Sequence, residues 1–80
     1  MIQANAFRQW LKNNTNYTDA VIGNIVSRMK RADGILEWSN METYLFYLEK
    51  ETEFKNLTVS VRSQLRKAVK LYSVYTKEQP

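Results

Sequence analysis

This sequence predicts an all-α fold, a small four-helix bundle. Apolar residues recur at i, i+3 and i+4 along nearly the whole chain, the spacing that gathers them on one stripe of a helix. Only two glycines and one proline interrupt 80 residues, and the proline comes last. Two Trp, five Tyr and three Phe supply bulk to a chain too short to build its core from many side chains. The length fits one domain over residues 1–80.

The first helix is expected from Ala4 to Lys12, with Phe7, Trp10 and Leu11 on its apolar stripe. Asn13-Asn14-Thr15-Asn16 ends it, because these side chains compete for backbone hydrogen bonds. The second is expected from Asp19 to Ala32. Thr18 is its N-cap, Asp19 suits the positive end of the dipole, and Val21, Ile22, Ile25, Val26 and Met29 form the buried stripe. Arg28, Lys30 and Arg31 fall in its last turns, and Gly34 reads as its stop. Ile35-Leu36-Glu37-Trp38 is too apolar for a free loop and should fold onto the core.

A capping box, Ser39 with Glu42, predicts the start of the third helix, which buries Met41, Tyr44, Leu45 and Leu48. It should fray in Glu49-Lys50-Glu51-Thr52-Glu53, with Phe54 and Leu57 holding the connection down. The fourth helix is expected from Ser60 to Thr76. Val61, Leu65, Ala68, Tyr72 and Tyr75 share one face at 100° per residue. Arg62, Arg66, Lys70 and Lys77 are placed on the opposite face, pointing away from the apolar stripe, with Ser63 and Lys67 beside them. Every aromatic residue except Trp38, Phe46 and Tyr47 is assigned to a buried stripe or an apolar connection. The rings therefore read as core, not as a platform for stacking bases.

The absence of Cys and His removes zinc sites, thiol chemistry and histidine acid–base chemistry. Ser27, Ser60 and Ser63 have no activating base, and Glu49, Glu51 and Glu53 read as a solubilising run. No glycine-rich phosphate loop is present. The expectation is a non-catalytic domain with no cofactor and no metal. No apolar run approaches the ~18 residues of a membrane span. Met-Ile-Gln-Ala-Asn-Ala has neither a basic start nor an apolar signal core, which predicts a cytoplasmic protein.

Charge divides along the chain. Residues 1–31 carry five basic groups and one acidic, residues 32–53 one basic and six acidic, and residues 54–80 six basic and one acidic. The first and last thirds therefore attract anions. On the fourth helix, cations share a side with no interspersed acid, a pattern that suits phosphate contact. On the second, Ala20, Asn24, Ser27 and Arg31 fall together opposite the apolar stripe, flanked by Gly23, Arg28 and Lys30. Small hydrogen-bonding side chains beside arginines suit close approach to a duplex. For both faces an ordinary solvated surface is the alternative.

The layout resembles the N-terminal SAM-like, core-binding domain of phage integrases and other tyrosine recombinases. The similar segments are Phe7-Arg8-Gln9-Trp10-Leu11, Ile25-Val26-Ser27-Arg28-Met29-Lys30-Arg31, Tyr44-Leu45 with Leu48-Glu49, and the run from Ser60 to Tyr72. The resemblance covers nearly the whole chain and rests on helix lengths and apolar positions, not on an invariant motif. It implies a bundle that clamps one side of a recombination site, with the second and fourth helices facing the DNA major groove. It also implies a separate C-terminal catalytic domain as partner, since the family's catalytic Arg, His and nucleophilic Tyr lie there. A similar helical segment occurs at the front of bacterial defence and nuclease-like proteins.

Two functions follow as expectations. The first is a DNA-binding module of an integrase-like protein, contacting duplex DNA through Asn24, Ser27, Arg28, Arg31, Arg62, Arg66, Lys67 and Lys70. The second is a SAM-like protein–protein interaction module, in which the acidic middle of one copy meets the basic end of another.

Overall fold

The computed structural model describes residues 1–78. Among them lie five helices and no strand: α1 (Ala4–Asn14), α2 (Asp19–Ile35), α3 (Tyr44–Leu48), α4 (Thr52–Lys55) and α5 (Val59–Glu78). The all-α class is as expected; the count of four is corrected to five. The charged run after α3 does not simply fray. It turns at Glu49 to Glu51 and forms α4, whose single buried residue is Phe54. Phe54 thus anchors the connection as expected, with Leu57 packed beside the core.

α2 and α5 form the central pair, and α1 packs mainly on α2. The core joins Phe7 and Leu11 of α1, Ile22, Ile25, Val26, Met29 and Ala32 of α2, and Leu65, Ala68, Val69, Tyr72 and Tyr75 of α5. Tyr44, Leu48 and Phe54 close it from the short helices. The molecule measures 34 × 28 × 16 Å, so in its thin direction it is little more than one helix thick.

Six rings run through this core in contact. Trp10 lies near Phe7 and Tyr75, Phe7 meets Tyr72 edge-on at 4.9 Å, Tyr72 meets Trp38 at 4.9 Å, and Trp38 meets Tyr44 at 4.7 Å. Edge-to-face pairs of this kind contribute about 0.5–1.5 kcal/mol each beyond area burial. Trp38 therefore carries the apolar linker onto the core, as expected of that linker, which corrects the exception of Trp38 from the packed rings. Tyr17 corrects the assignment of the other aromatics: it is exposed at the entry to α2.

The C-terminal end of α2 is set by a contact from outside the helix. α2 runs three residues past Ala32 and through Gly34, which has no positive φ. The Tyr44 hydroxyl donates to the Leu36 carbonyl at 2.6 Å, with the Ala32 carbonyl 3.3 Å away, and Asp33 Oδ1 accepts from the Trp38 amide at 2.8 Å. These partners satisfy the helix end, so no left-handed glycine is needed. Arg28, Lys30 and Arg31 are accordingly mid-helix and not dipole caps. The Ser39–Glu42 capping box is not formed: α3 begins at Tyr44, and its N-cap residue Thr43 makes no side-chain cap bond. Once Trp38 is drawn between Tyr44 and Tyr72, the chain from Ser39 to Thr43 is occupied in turning back. Met41, expected inside, is half-exposed. The Thr18 cap is present, its hydroxyl accepting from the Val21 amide at 3.3 Å. Thr58 does the same for the Val61 amide at 3.2 Å at the head of α5.

Candidate nucleic-acid interface

Along the outer face of α5, Ser63, Lys67, Lys70 and Val74 are exposed at helical spacing. With Arg66 and Leu71 they line a shallow groove of about 410 Å³. Three cations and a hydroxyl border it and no carboxylate does. Lys67 Nζ stands 5.7 Å from the centre of the Tyr17 ring, which ties the middle of α5 to the start of α2.

The expected four-cation face needs correction at two positions. Arg66 is not unpaired: its Nε donates to Glu49 Oε1 at 2.6 Å, and its guanidinium carbon lies 5.5 Å from the Phe54 ring centre. It fastens the end of α3 and α4 to α5. Glu49 is therefore a structural partner and not part of a solubilising run. Arg62 is half-buried, and its Nε is buried with no hydrogen-bond partner. Counted at 100° per residue, Arg62 lies only about 60° from Leu65, close to the apolar stripe. Neither arginine simply points away from the core. The freely exposed cations of α5 are Lys67, Lys70 and Lys77.

On α2, Asn24, Ser27 and Arg31 are exposed on the side opposite Ile22, Val26 and Met29, as expected. Arg28 is half-buried. The ion pairs among the described residues join Arg66 to Glu49, Lys12 to Asp19 and the N-terminal amine to Asp33, so Arg28 and Arg31 belong to none. Gly23 lies under Arg8: a Cβ there would sit 3.9 Å from the Arg8 guanidinium, which places a further cation beside this face. Of the eight expected contact residues, Arg66, Lys67 and Lys70 share the α5 groove, and Asn24, Ser27, Arg28 and Arg31 belong to α2 and do not line it. Arg62 joins neither. Tyr17 and Ser63 complete the α5 surface. Ser63 was legible from its spacing, whereas nothing local marks Tyr17 as the partner of Lys67.

Among the described residues no group of three or more His, Cys, Asp or Glu side chains can hold a metal ion. No helix there is long and apolar enough to cross a membrane. Burial pushes the Tyr44 hydroxyl up to about 12, with the Asp33 carboxylate adding to the shift. Burial likewise raises Tyr72, whose oxygen accepts from the Gln3 amide. Both hydroxyls are thereby held as neutral structural groups. No protein-family model, curated protein or solved structure matches this chain.

Proposed function

We propose that this chain is a DNA-binding helical module of a phage or mobile-element integrase-like protein, that it contacts duplex DNA through α5 and α2, and that it performs no catalysis itself. The observation that carries this reading is the carboxylate-free groove bordered by Ser63, Arg66, Lys67 and Lys70. A phosphate placed there meets the exposed Lys67 and Lys70 and the Ser63 hydroxyl, while Arg66 is held by Glu49, and each lysine it neutralises releases counterions from the duplex. Asn24, Ser27 and Arg31 offer the short donors and acceptors that read base edges, on a helix packed directly against α5. The sequence resemblance to SAM-like core-binding domains supports the same pair of helices. It also makes a tethered catalytic domain the partner that would raise the local concentration of DNA, in a cytoplasmic setting. The protein-interaction alternative has less support, because Glu49 of the acidic middle is spent on Arg66 of the same chain.

A labelled duplex titrated with the chain and followed by anisotropy tests this reading. The chain alone should bind in the non-specific range of about 10⁻⁴–10⁻⁶ M at physiological salt, with affinity falling steeply as salt rises. Lys67→Glu with Lys70→Glu should abolish binding and leave the melting temperature in place, since both side chains are exposed. Wild-type and double-variant curves that superimpose would refute it.

A further inference from the structure

No carboxylate lines the α5 groove, yet one of its cations is already engaged. Arg66 borders the groove with Lys67 and Lys70, and its Nε donates to Glu49 Oε1, at the end of α3, across 2.6 Å. Its charge is therefore balanced within the chain. Lys67 and Lys70 belong to no ion pair among the described residues. The Arg66–Glu49 bond is also the one side-chain hydrogen bond, among the described residues, that ties the α3–α4 segment to α5.

This pair is built to be exchanged. The Arg66 and Glu49 side chains are 35% and 38% exposed, so water screens their attraction and the pair holds weakly. Glu49 engages Nε alone, and the two Nη groups make no hydrogen bond among the described residues. A phosphate can accept two parallel N–H bonds from a guanidinium, which makes it the stronger match. Arg66 adjoins Lys67 and stands one helical turn from Lys70, so a nucleic-acid strand laid along the groove brings phosphates close to it.

We propose that Glu49 is an intramolecular competitor of DNA for Arg66. In the free chain the guanidinium is on Glu49; in the complex it is on a backbone phosphate. The exchange frees the Glu49 carboxylate and unties the α3–α4 segment from α5 at that point. The inference rests on the DNA reading and adds regulation to the same groove. Whatever takes Glu49 away from Arg66 strengthens duplex binding, and by linkage the duplex favours that ligand by the same factor. Glu53 supplies the comparison: it is exposed on α4 and belongs to no ion pair among the described residues, so its loss changes the net charge equally without touching Arg66.

The test measures duplex affinity by anisotropy over a salt series, for the whole chain and its variants. Glu49→Gln should tighten binding about two- to fivefold, because an exposed pair no longer has to break. Glu53→Gln should gain clearly less. Arg66→Gln should lower the slope of log affinity against log salt by about 0.9, one phosphate contact. In the Arg66→Gln background, Glu49→Gln should do no more than Glu53→Gln. One readout needs no variant to fold: in the labelled wild-type chain, the Arg66 Nε–H signal should move as duplex is added. An unmoved Nε–H signal while the Ser63 and Lys67 amides shift would overturn the proposal and leave the DNA reading standing. So would an unchanged salt slope in Arg66→Gln, or equal gains from Glu49→Gln and Glu53→Gln. A wild-type chain that binds no duplex at low salt would overturn both.

Discussion

Tyr44 joins three parts of the chain through one side chain. Its ring packs on Trp38, its body is buried in the core, and its hydroxyl donates to the part-buried Leu36 carbonyl just past the end of α2. Tyr44→Phe keeps the ring and leaves the Leu36 carbonyl without that donor, whereas Ala32 keeps the Leu36 amide, so it should cost about 1–3 kcal/mol in denaturant unfolding. The pH dependence carries the same signature. The folded hydroxyl titrates at about 12, above the ordinary 10.0, so the neutral form is favoured in the folded state. Its contribution is complete below pH 10 and is lost as the pH rises toward 12, where the unfolded chain sheds the proton first. Tyr44→Phe should flatten the fall in stability across that window; an equally steep fall would place its origin elsewhere. Arg66 and Lys67 are neighbours with different work. Arg66→Ala loses the bond to Glu49 and the contact with Phe54 and should cost up to about 1 kcal/mol. Lys67→Ala should leave thermal unfolding nearly unchanged and weaken duplex binding. Equal melting shifts in the two variants would contradict this division.

At the scale of elements, the long helices were readable and the short ones were not. Periodicity in α1, α2 and α5 is carried by Phe7 and Leu11, by Ile22, Ile25, Val26 and Met29, and by Leu65, Ala68, Tyr72 and Tyr75, all of them buried, whereas Val21, expected on the same stripe, is exposed. The end of α2 was misread because Gly34 is a stop signal only when the local chain must supply its own cap. Here the Tyr44 hydroxyl supplies a donor from outside the helix, while Asp33 within α2 holds the Trp38 amide of the chain that follows. Gly34 is helical and a Cβ there would meet nothing within 4 Å, so Gly34→Ala should stabilise by about 0.4–1 kcal/mol. A loss of stability would instead indicate a left-handed cap. Ser39→Ala should be close to neutral, whereas Thr18→Ala should cost about 1 kcal/mol for the lost cap on Val21. Thermal melts of the pair distinguish a cap that exists from one that only the spelling of the sequence suggests. The α5 cations were half legible. Lys67 and Lys70 follow from spacing alone, but the Arg66–Glu49 pair joins residues 17 apart and leaves no local trace.

For the whole molecule, a thin slab built on the α2–α5 pair is what gives the chain outer surfaces to use. Leu65, fully enclosed where the long helices meet, sets how much damage that pair can bear. Leu65→Ala should cost about 2–5 kcal/mol, a large part of the stability of so small a domain. The central claim is that the outer faces of α5 and α2 hold duplex DNA. Amide shifts of the labelled chain, recorded while a short duplex is added at low and then moderate salt, test it most directly. Shifts should concentrate at Ser63 to Lys70 and Asn24 to Arg31, grow as salt is lowered, and vanish in the Lys67→Glu, Lys70→Glu double variant. Shifts confined to the acidic segment between Ala32 and Glu53, or none at low salt, would contradict the claim.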